Sequence, residues 1–221
     1  ENTLASPADI TEWRCEGDAA ITFPRGRLRL ENAYERDTDQ GRHANFVLWC
    51  DRDFPDNIVV RWEFKPLSDR GLAMIWIAAA GRNGEDLFDP ALDPRDGDYP
   101  QYHHGDINAL HGSYFRRNPQ ETSFRTCNLR KSYGFHMVAQ GGDPLPDCRD
   151  VEAPYTIEVL KWGPHVRFSM NGVILYHWVD DGVSYGPVLE AGKIGFRQMA
   201  GLIAEYGKLE VRSVSPEREV R

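Results

Sequence analysis

Several features are scarce or missing in this 221-residue chain, and each absence narrows what it can be. No apolar run approaches the roughly 20 residues that cross a bilayer, so the sequence reads as a soluble protein with no membrane partner. Basic residues are outnumbered, 26 Lys and Arg against 34 Asp and Glu, for a formal charge of −8. A phosphate backbone would be repelled, which excludes nucleic acid as the general partner. The four cysteines, Cys15, Cys50, Cys127 and Cys148, show no CxxC spacing and no histidines at zinc-finger distances, which excludes a structural zinc site of that kind. Three disulfide pairings stay open, and Cys127 with Cys148 would close a short loop. There is no Asn-x-Ser/Thr sequon, no repeat, no low-complexity tract and no linker, so a single domain over 1–221 is expected. Helical periodicity is scarce throughout.

What is present is β pattern. "NFVLWC" (45–50), "NIVVRWEFKPL" (57–67) and "LAMIWIAAA" (72–80) are rich in β-branched and aromatic residues between Asp, Gly and Pro clusters. The C-terminal third adds "YTIEVLKWG" (155–163), "HVRFSMNG" (165–172), "VILYHWVD" (173–180), "GKIGFRQM" (192–199) and "YGKLEVRSV" (206–214). Asn171-Gly172 is the strongest hairpin signal, because a type I′ turn needs positive φ at both central residues. Many short strands with Gly and Pro turns predict an all-β sandwich or jelly roll of two antiparallel sheets. Between the β-rich ends, residues 81–150 read as a long irregular insertion, with loops lying over the concave face.

That insertion holds the main anomaly. From Tyr102 to His136 the chain places four of its seven histidines, five Arg or Lys and three tyrosines against two acids, Asp106 and Glu121. Such a run either lines a site for an anion or is a solvated basic loop.

The strands "YTIEVLKWGPHVRFSMNG" and "GKIGFR" are similar to the closing strands of the concanavalin A-like lectin/glucanase sandwiches. The middle, "GDINALHGSYFRR" with "RTCNLRKSYGFHMVAQGGDPLP", resembles the YesU-like bacterial family of that superfamily. The resemblance implies a concanavalin A-like jelly roll working in bacterial polysaccharide degradation, with uronic-acid-containing glycans as the substrate class. Fold alone does not set function. Catalytic members of the superfamily carry Glu-x-Asp-x-x-Glu on one strand, and this chain departs from that pattern. "RWEFK" offers Glu63 alone and "LEVRS" offers Glu210 alone. A retaining glycosidase needs two carboxyl groups about 5–5.5 Å apart, so the standard glucanase mechanism is disfavoured.

An acidic sugar suits the basic run better. A uronate carboxylate is held by the planar fork of arginine, with Arg116, Arg117, Arg125 and Arg130 as candidates and Lys131 as a point charge. Neutralising that carboxylate acidifies the adjacent C–H, and His or Tyr can then move the protons of a β-elimination. The catalytic candidates are His104, His111, Tyr114 and His136. Tyr133 and Trp178 join the arginines and Lys131 as binding candidates, Trp178 for stacking on a sugar ring. If the chain is locally extended, His111, Ser113 and Phe115 share one side of the strand, and Gly112, Tyr114 and Arg116 the other. Trp49, Trp62, Trp76 and Trp162 lie within strands and read as core.

No cofactor is required by this chemistry. The side chains of His103-His104 diverge on an extended segment and make a poor metal pair. The acidic loop at 85–100 offers Asp86, Asp89, Asp93, Asp96 and Asp98 as oxygen ligands for a structural calcium ion, although Asp and Pro equally make turns. The expectation is therefore an exported, periplasmic or secreted lyase or dehydratase acting on an acidic oligosaccharide or polysaccharide. A non-catalytic carbohydrate-binding protein is the alternative, and a glycoside hydrolase with non-standard residues stands third. Glu1 in place of a start methionine fits a removed leader or simple trimming of the chain.

Overall fold

The computed structural model describes residues 1–34, 44–118, 120–121 and 124–215; the parts of the predicted domain and insertion at 35–43, 119, 122–123 and 216–221 lie outside the described residues. Fourteen strands run in chain order among them. They are β1 (Trp13–Glu16), β2 (Ala19–Thr22), β3 (Leu28–Asn32), β4 (Phe46–Phe54), β5 (Ile58–Pro66), β6 (Gly71–Gly81) and β7 (Ile107–Arg117). After these come β8 (Thr126–Ser132), β9 (His136–Gly142), β10 (Tyr155–Trp162), β11 (His165–Met170), β12 (Val173–Val179), β13 (Gly192–Met199) and β14 (Ile203–Ser213). A first antiparallel sheet has the order β1-β4-β13-β6-β7-β8-β9, and a second has β12-β11-β10-β5-β14-β3-β2. No helix among the described residues is long and apolar enough to cross a membrane.

The strands predicted at both β-rich ends form where the alternation placed them. On β5, Ile58, Val60, Trp62 and Phe64 are buried while Arg61 is exposed, so one side meets the core and the other faces water. The first sheet returns the same logic from the opposite side through Leu48, Ile75, Leu110, Leu129 and Phe196. Aromatic rings interlock between the sheets: Trp62 lies 5.6 Å from Phe196, and Phe64 lies 5.4 Å from Tyr206. Asn171 and Gly172 have φ of 49° and 79°, as the type I′ hairpin between β11 and β12 demands.

The middle of the chain departs from expectation. Residues 81–150 are not simply loops laid over a sheet, because β7, β8 and β9 supply three adjacent strands of the first sheet itself. Their alternation was obscured because the outward positions carry His, Ser, Asn and Arg, which read as loop chemistry. Among the described residues of the insertion, the stretch at 82–106 lies as a cover on the sheet. Leu87 and Tyr102, with Phe88, Leu92 and Tyr99, pack there over Val47, Trp49, Trp76, Ile107 and Ala109. Arg95 holds Glu16 at 2.8 Å, and Asp86 holds Lys193 at 2.8 Å, fastening both sides of the cover. Gly97, at φ +99°, lets the cover approach the Asn45 carbonyl, where any Cβ would collide.

Three acidic residues of that segment close turns of their own. Asp86 also accepts a hydrogen bond from the Phe88 amide at 2.7 Å, Asp89 from the Ala91 amide at 2.9 Å, and Asp96 from the Asp98 amide at 3.3 Å. These are side-chain-closed turns. Among the described residues no group of three or more His, Cys, Asp or Glu is arranged around a metal-sized space. The cysteines are four free thiols, so the Cys127–Cys148 bridge does not form. Cys127 is buried in the core, whereas the Cys148 thiol contacts Asp69 at 3.3 Å.

Candidate functional site

The 82–106 cover leaves the other half of the first sheet's outer face open, and a cleft of about 940 Å³ occupies it. Strand register fixes its floor. Met74 on β6 lies opposite Ser113 on β7, and Ser113 lies opposite Asn128 on β8. In the next row His111 lies opposite Arg130. Tyr99 from the cover and Phe135 from the β8–β9 turn wall one end, and Arg116, Gln120 and Phe124 wall another part. Among the described residues no Asp or Glu lines this cleft.

A β-bulge decides which side chains reach it. Ala73 pairs with Phe115 and Met74 with Ser113, so Tyr114 is an extra residue on β7. Tyr114 keeps the inward alternation of Leu110 and Gly112, while the bulge turns Phe115 inward as well and returns Arg116 to the cleft face. Tyr114, one of the four expected catalytic residues, is a core residue whose ring packs 5.4 Å from Trp62 and 5.1 Å from Phe64. Strict alternation grouped Phe115 with His111 and Ser113; the inserted residue breaks that grouping.

His111 is 2% exposed and lies flat on Trp76, with centroids 4.2 Å apart and planes 13° apart. Ser132 donates its single hydroxyl proton to the Gly134 carbonyl at 2.9 Å. In its 3.2 Å contact with Ser132 Oγ, His111 Nε2 is therefore the donor. Nδ1 is then left as an acceptor, and the Tyr99 hydroxyl donates to it at 3.3 Å. Burial, reinforced by the charges of Arg130, His103 and Arg197, pushes the His111 pKa well below its ordinary value, so the ring is neutral. The Tyr99 phenol is pushed up to about 12 by burial, against the pull of Arg197, Arg130 and Arg116.

Of the arginines that line the cleft, Arg117 is buried and paired with Asp143, whereas Arg116 and Arg130 stack on aromatic rings and show no carboxylate partner among the described residues. Arg116 donates from Nη1 to the Phe124 carbonyl at 3.0 Å and to Thr126 Oγ1 at 2.5 Å, and its guanidinium lies 3.9 Å from the centre of the Phe124 ring. Arg130 donates to the Phe135 carbonyl at 2.9 Å and stacks 3.6 Å from that ring. Burial lowers the pKa of both, and in Arg116 the charge of Arg130 lowers it further. Each guanidinium is oriented by aromatic stacking while most of its donors stay unspent.

The remaining expected site residues lie elsewhere. Lys131 alternates inward from Arg130 and is buried, bonded to Asp180 at 2.6 Å and to the Gly186 and Pro187 carbonyls. Arg125 is spent on Asp147 at 2.7 Å. Tyr133 is stacked under Arg82, whose guanidinium lies 3.9 Å from the ring centre. His136 points away from the cleft face and stacks on Tyr185 at 4.4 Å. His104 is exposed beside His103 and Tyr133. Trp178 belongs to the second sheet and packs against the core. From the predicted set, then, His111, Arg116 and Arg130 share the cleft with the paired Arg117.

Sequence reasoning missed Tyr99 and Arg197. Arg197 on β13 is fully buried under the cover, 4.6 Å from the Tyr99 ring centre and 4.9 Å from that of Tyr102. Its Nη2 donates to the Gly97 carbonyl at 2.9 Å, while Nε and Nη1 lack hydrogen-bond partners among the described residues. The arginine inside "GKIGFRQM" was the available signal, since a charge within a strand bounded by core residues needs a specific neighbour.

This is a jelly-roll β-sandwich of the concanavalin and galectin type, with an arginine-bearing cleft on one sheet. The chain belongs to the family described as "Domain of unknown function (DUF1961)", whose model matches residues 1–211. It is 52% identical over 206 residues to "Uncharacterized protein YesU" of Bacillus subtilis (strain 168), covering 93% of this chain and 90% of that protein. A crystal structure described as a protein of unknown function with galectin-like fold from Bacillus subtilis superposes with a TM-score of 0.91 at 50% identity, covering 96% and 94% of the two chains. The carbohydrate binding module CBM66 from Bacillus subtilis superposes with a TM-score of 0.55 at 11% identity, covering 92% and 97%, a likeness of fold alone.

Proposed function

We propose that the cleft takes up a carbohydrate bearing a carboxylate, held through Arg116 and Arg130. The observation that carries this reading is the pairing of two ring-stacked guanidiniums with a cleft in which, among the described residues, neither has a carboxylate partner and no Asp or Glu forms the lining, in a chain of net charge −8. Such donors suit the bidentate geometry of a uronate. The fold shared with a carbohydrate binding module supports a sugar as the ligand.

On this reading the reaction is β-elimination, by a lyase or a dehydratase. The arginines draw charge toward the uronate carboxylate as the α-proton leaves. Tyr99 passes its proton to His111 Nδ1, and the phenolate takes the α-proton. The electron pair released forms the carbon–carbon double bond and expels the oxygen on the β-carbon. Tyr99 then protonates that oxygen and recovers its own proton from His111. Paired-carboxylate hydrolysis lacks residues in this cleft.

A second reading, carbohydrate binding without catalysis, is favoured by one feature: both His111 nitrogens are already engaged, and the Tyr99 phenol is held protonated at neutral pH. Incubation with uronate-containing oligosaccharides and their neutral counterparts, read by mass spectrometry, separates these readings. A lyase gives fragments whose masses sum to the parent, and a dehydratase gives the parent less one water. A binding protein leaves every mass unchanged while its melting temperature rises with the acidic sugar. Fragments that sum to the parent plus one water, or no preference for acidic over neutral sugars, overturn the proposal.

A further inference from the structure

We propose that His165 and His177 form a cross-strand chelate for a divalent transition-metal ion of the imidazole-binding class, Cu²⁺, Ni²⁺ or Zn²⁺, on the side of the sandwich opposite the cleft. His165 lies next to Val166 on β11, and His177 lies between Tyr176 and Trp178 on β12. Those three neighbours turn into the core, so both imidazoles turn out from the second sheet. Register pairs His165 with Val179 and Arg167 with His177, which makes the two histidines diagonal neighbours, within reach of long side chains. Arg167 has interactions of its own.

The nitrogens are placed for a shared ion. His165 Nδ1 and His177 Nε2 lie 3.2 Å apart, with ring planes inclined by 19°. Two imidazoles bound tetrahedrally at Zn–N distances of 2.0–2.1 Å place their nitrogens about 3.3–3.4 Å apart, so little movement is needed. Without metal one ring donates its N–H to the other. With metal both lone pairs face the ion, and each ring carries its proton on the distal nitrogen. Trp162 stacks on His165 at 5.3 Å and 18°, holding the ring from the adjacent strand. The hairpin at Asn171-Gly172 fixes the spacing of β11 and β12, and β12 is the edge strand of its sheet, so a chelate there would tie an edge to its neighbour. The other contacting pair, His103 and His104, is less suited to a cation because the charges of Arg197 and Arg130 bear on His103.

The test is titration of the full chain with Cu²⁺ alone, followed by tryptophan fluorescence, and with Zn²⁺ alone, followed by melting temperature. Wild type is expected to show saturable Cu²⁺ quenching and a Zn²⁺-dependent rise in melting temperature. His165→Ala and His177→Ala should each weaken both responses at least tenfold, with His177→Gln as a second exposed-site variant. His103→Ala should leave them unchanged, and Trp162→Phe should remove most of the quenching while keeping the Zn²⁺ response. An absent wild-type response, responses in the His165 and His177 variants equal to those of wild type, or loss in His103→Ala overturns the proposal.

Discussion

The Tyr99 hydroxyl donates to His111 Nδ1 across 3.3 Å, which joins the cover segment to the floor of the cleft through a single transferable proton. Because the far side of His111 is tied to Ser132, that proton has one defined acceptor. Tyr99→Phe removes it while leaving the ring packed against Trp76 and Arg197. If elimination is the reaction, the variant should lose about 10²–10⁴-fold in turnover with sugar affinity nearly unchanged, the range for removing a general acid–base group. Steady-state kinetics with a separate binding measurement check this, and equal losses in both would assign Tyr99 to ligand binding.

Arg116 and Arg130 should carry anion recognition, and Arg125 should not. A hydrogen bond to a charged group contributes about 1.5–3 kcal/mol. Arg116→Ala and Arg130→Ala should therefore each weaken binding of a uronate oligosaccharide roughly ten- to hundredfold, with little effect on any binding of the neutral analogue. Arg125→Ala breaks an exposed ion pair with Asp147 and should leave affinity alone. Calorimetric titration of the three variants decides it.

Much of the architecture was legible because it follows from period. The alternation on β5 and the Asn171-Gly172 turn both translate directly into observed geometry. Of the basic run at 102–136, His111, Arg116 and Arg130 line the cleft. What stayed hidden depended on events that side-chain type does not report. One inserted residue on β7 turned Phe115 from cleft to core and brought Arg116 from core to cleft. Lys131 looked like a binding cation because Asp180, its partner, is 49 positions away in sequence. Tyr99 sits outside the basic run and reaches the site only because the cover folds back over Trp49 and Trp76.

The depressed pKa of His111 makes a prediction about acid stability. The folded protein resists protonating this buried ring, whereas the unfolded chain protonates it near the ordinary histidine value of about 6.5. Below that pH the unfolded state binds more protons, so stability is present at neutral pH and falls as pH is lowered. His103, pulled down to about 4 by burial and by its cationic neighbours, acts in the same direction. Urea midpoints should decline between pH 7 and pH 5, with His111 contributing a slope approaching ~1.4 kcal/mol per pH unit at the acid end. His111→Asn should be less stable at pH 7 and show a flatter decline; an equally steep one would place the titrating group elsewhere.

Lys131 offers the sharpest separation of stability from function. Its ammonium is buried, and with it the Asp180 carboxylate 2.6 Å away. Two further bonds, at 2.9 and 2.8 Å, fix the carbonyls of Gly186 and Pro187, so one cation anchors the connection leading from β12 to β13. Lys131→Met fills comparable space yet strands a buried carboxylate, a change that costs about 3–5 kcal/mol. Lys131→Met combined with Asp180→Asn removes both charges and should recover part of that loss, since a buried pair replaced as a unit is far less costly than one broken. Denaturant midpoints of the single and double variants measure the coupling. Because the ammonium turns inward from the strand that presents Arg130, the folded fraction of either variant should bind an acidic sugar as wild type does. A specific loss of affinity in fully folded Lys131→Met would instead return this lysine to the ligand site.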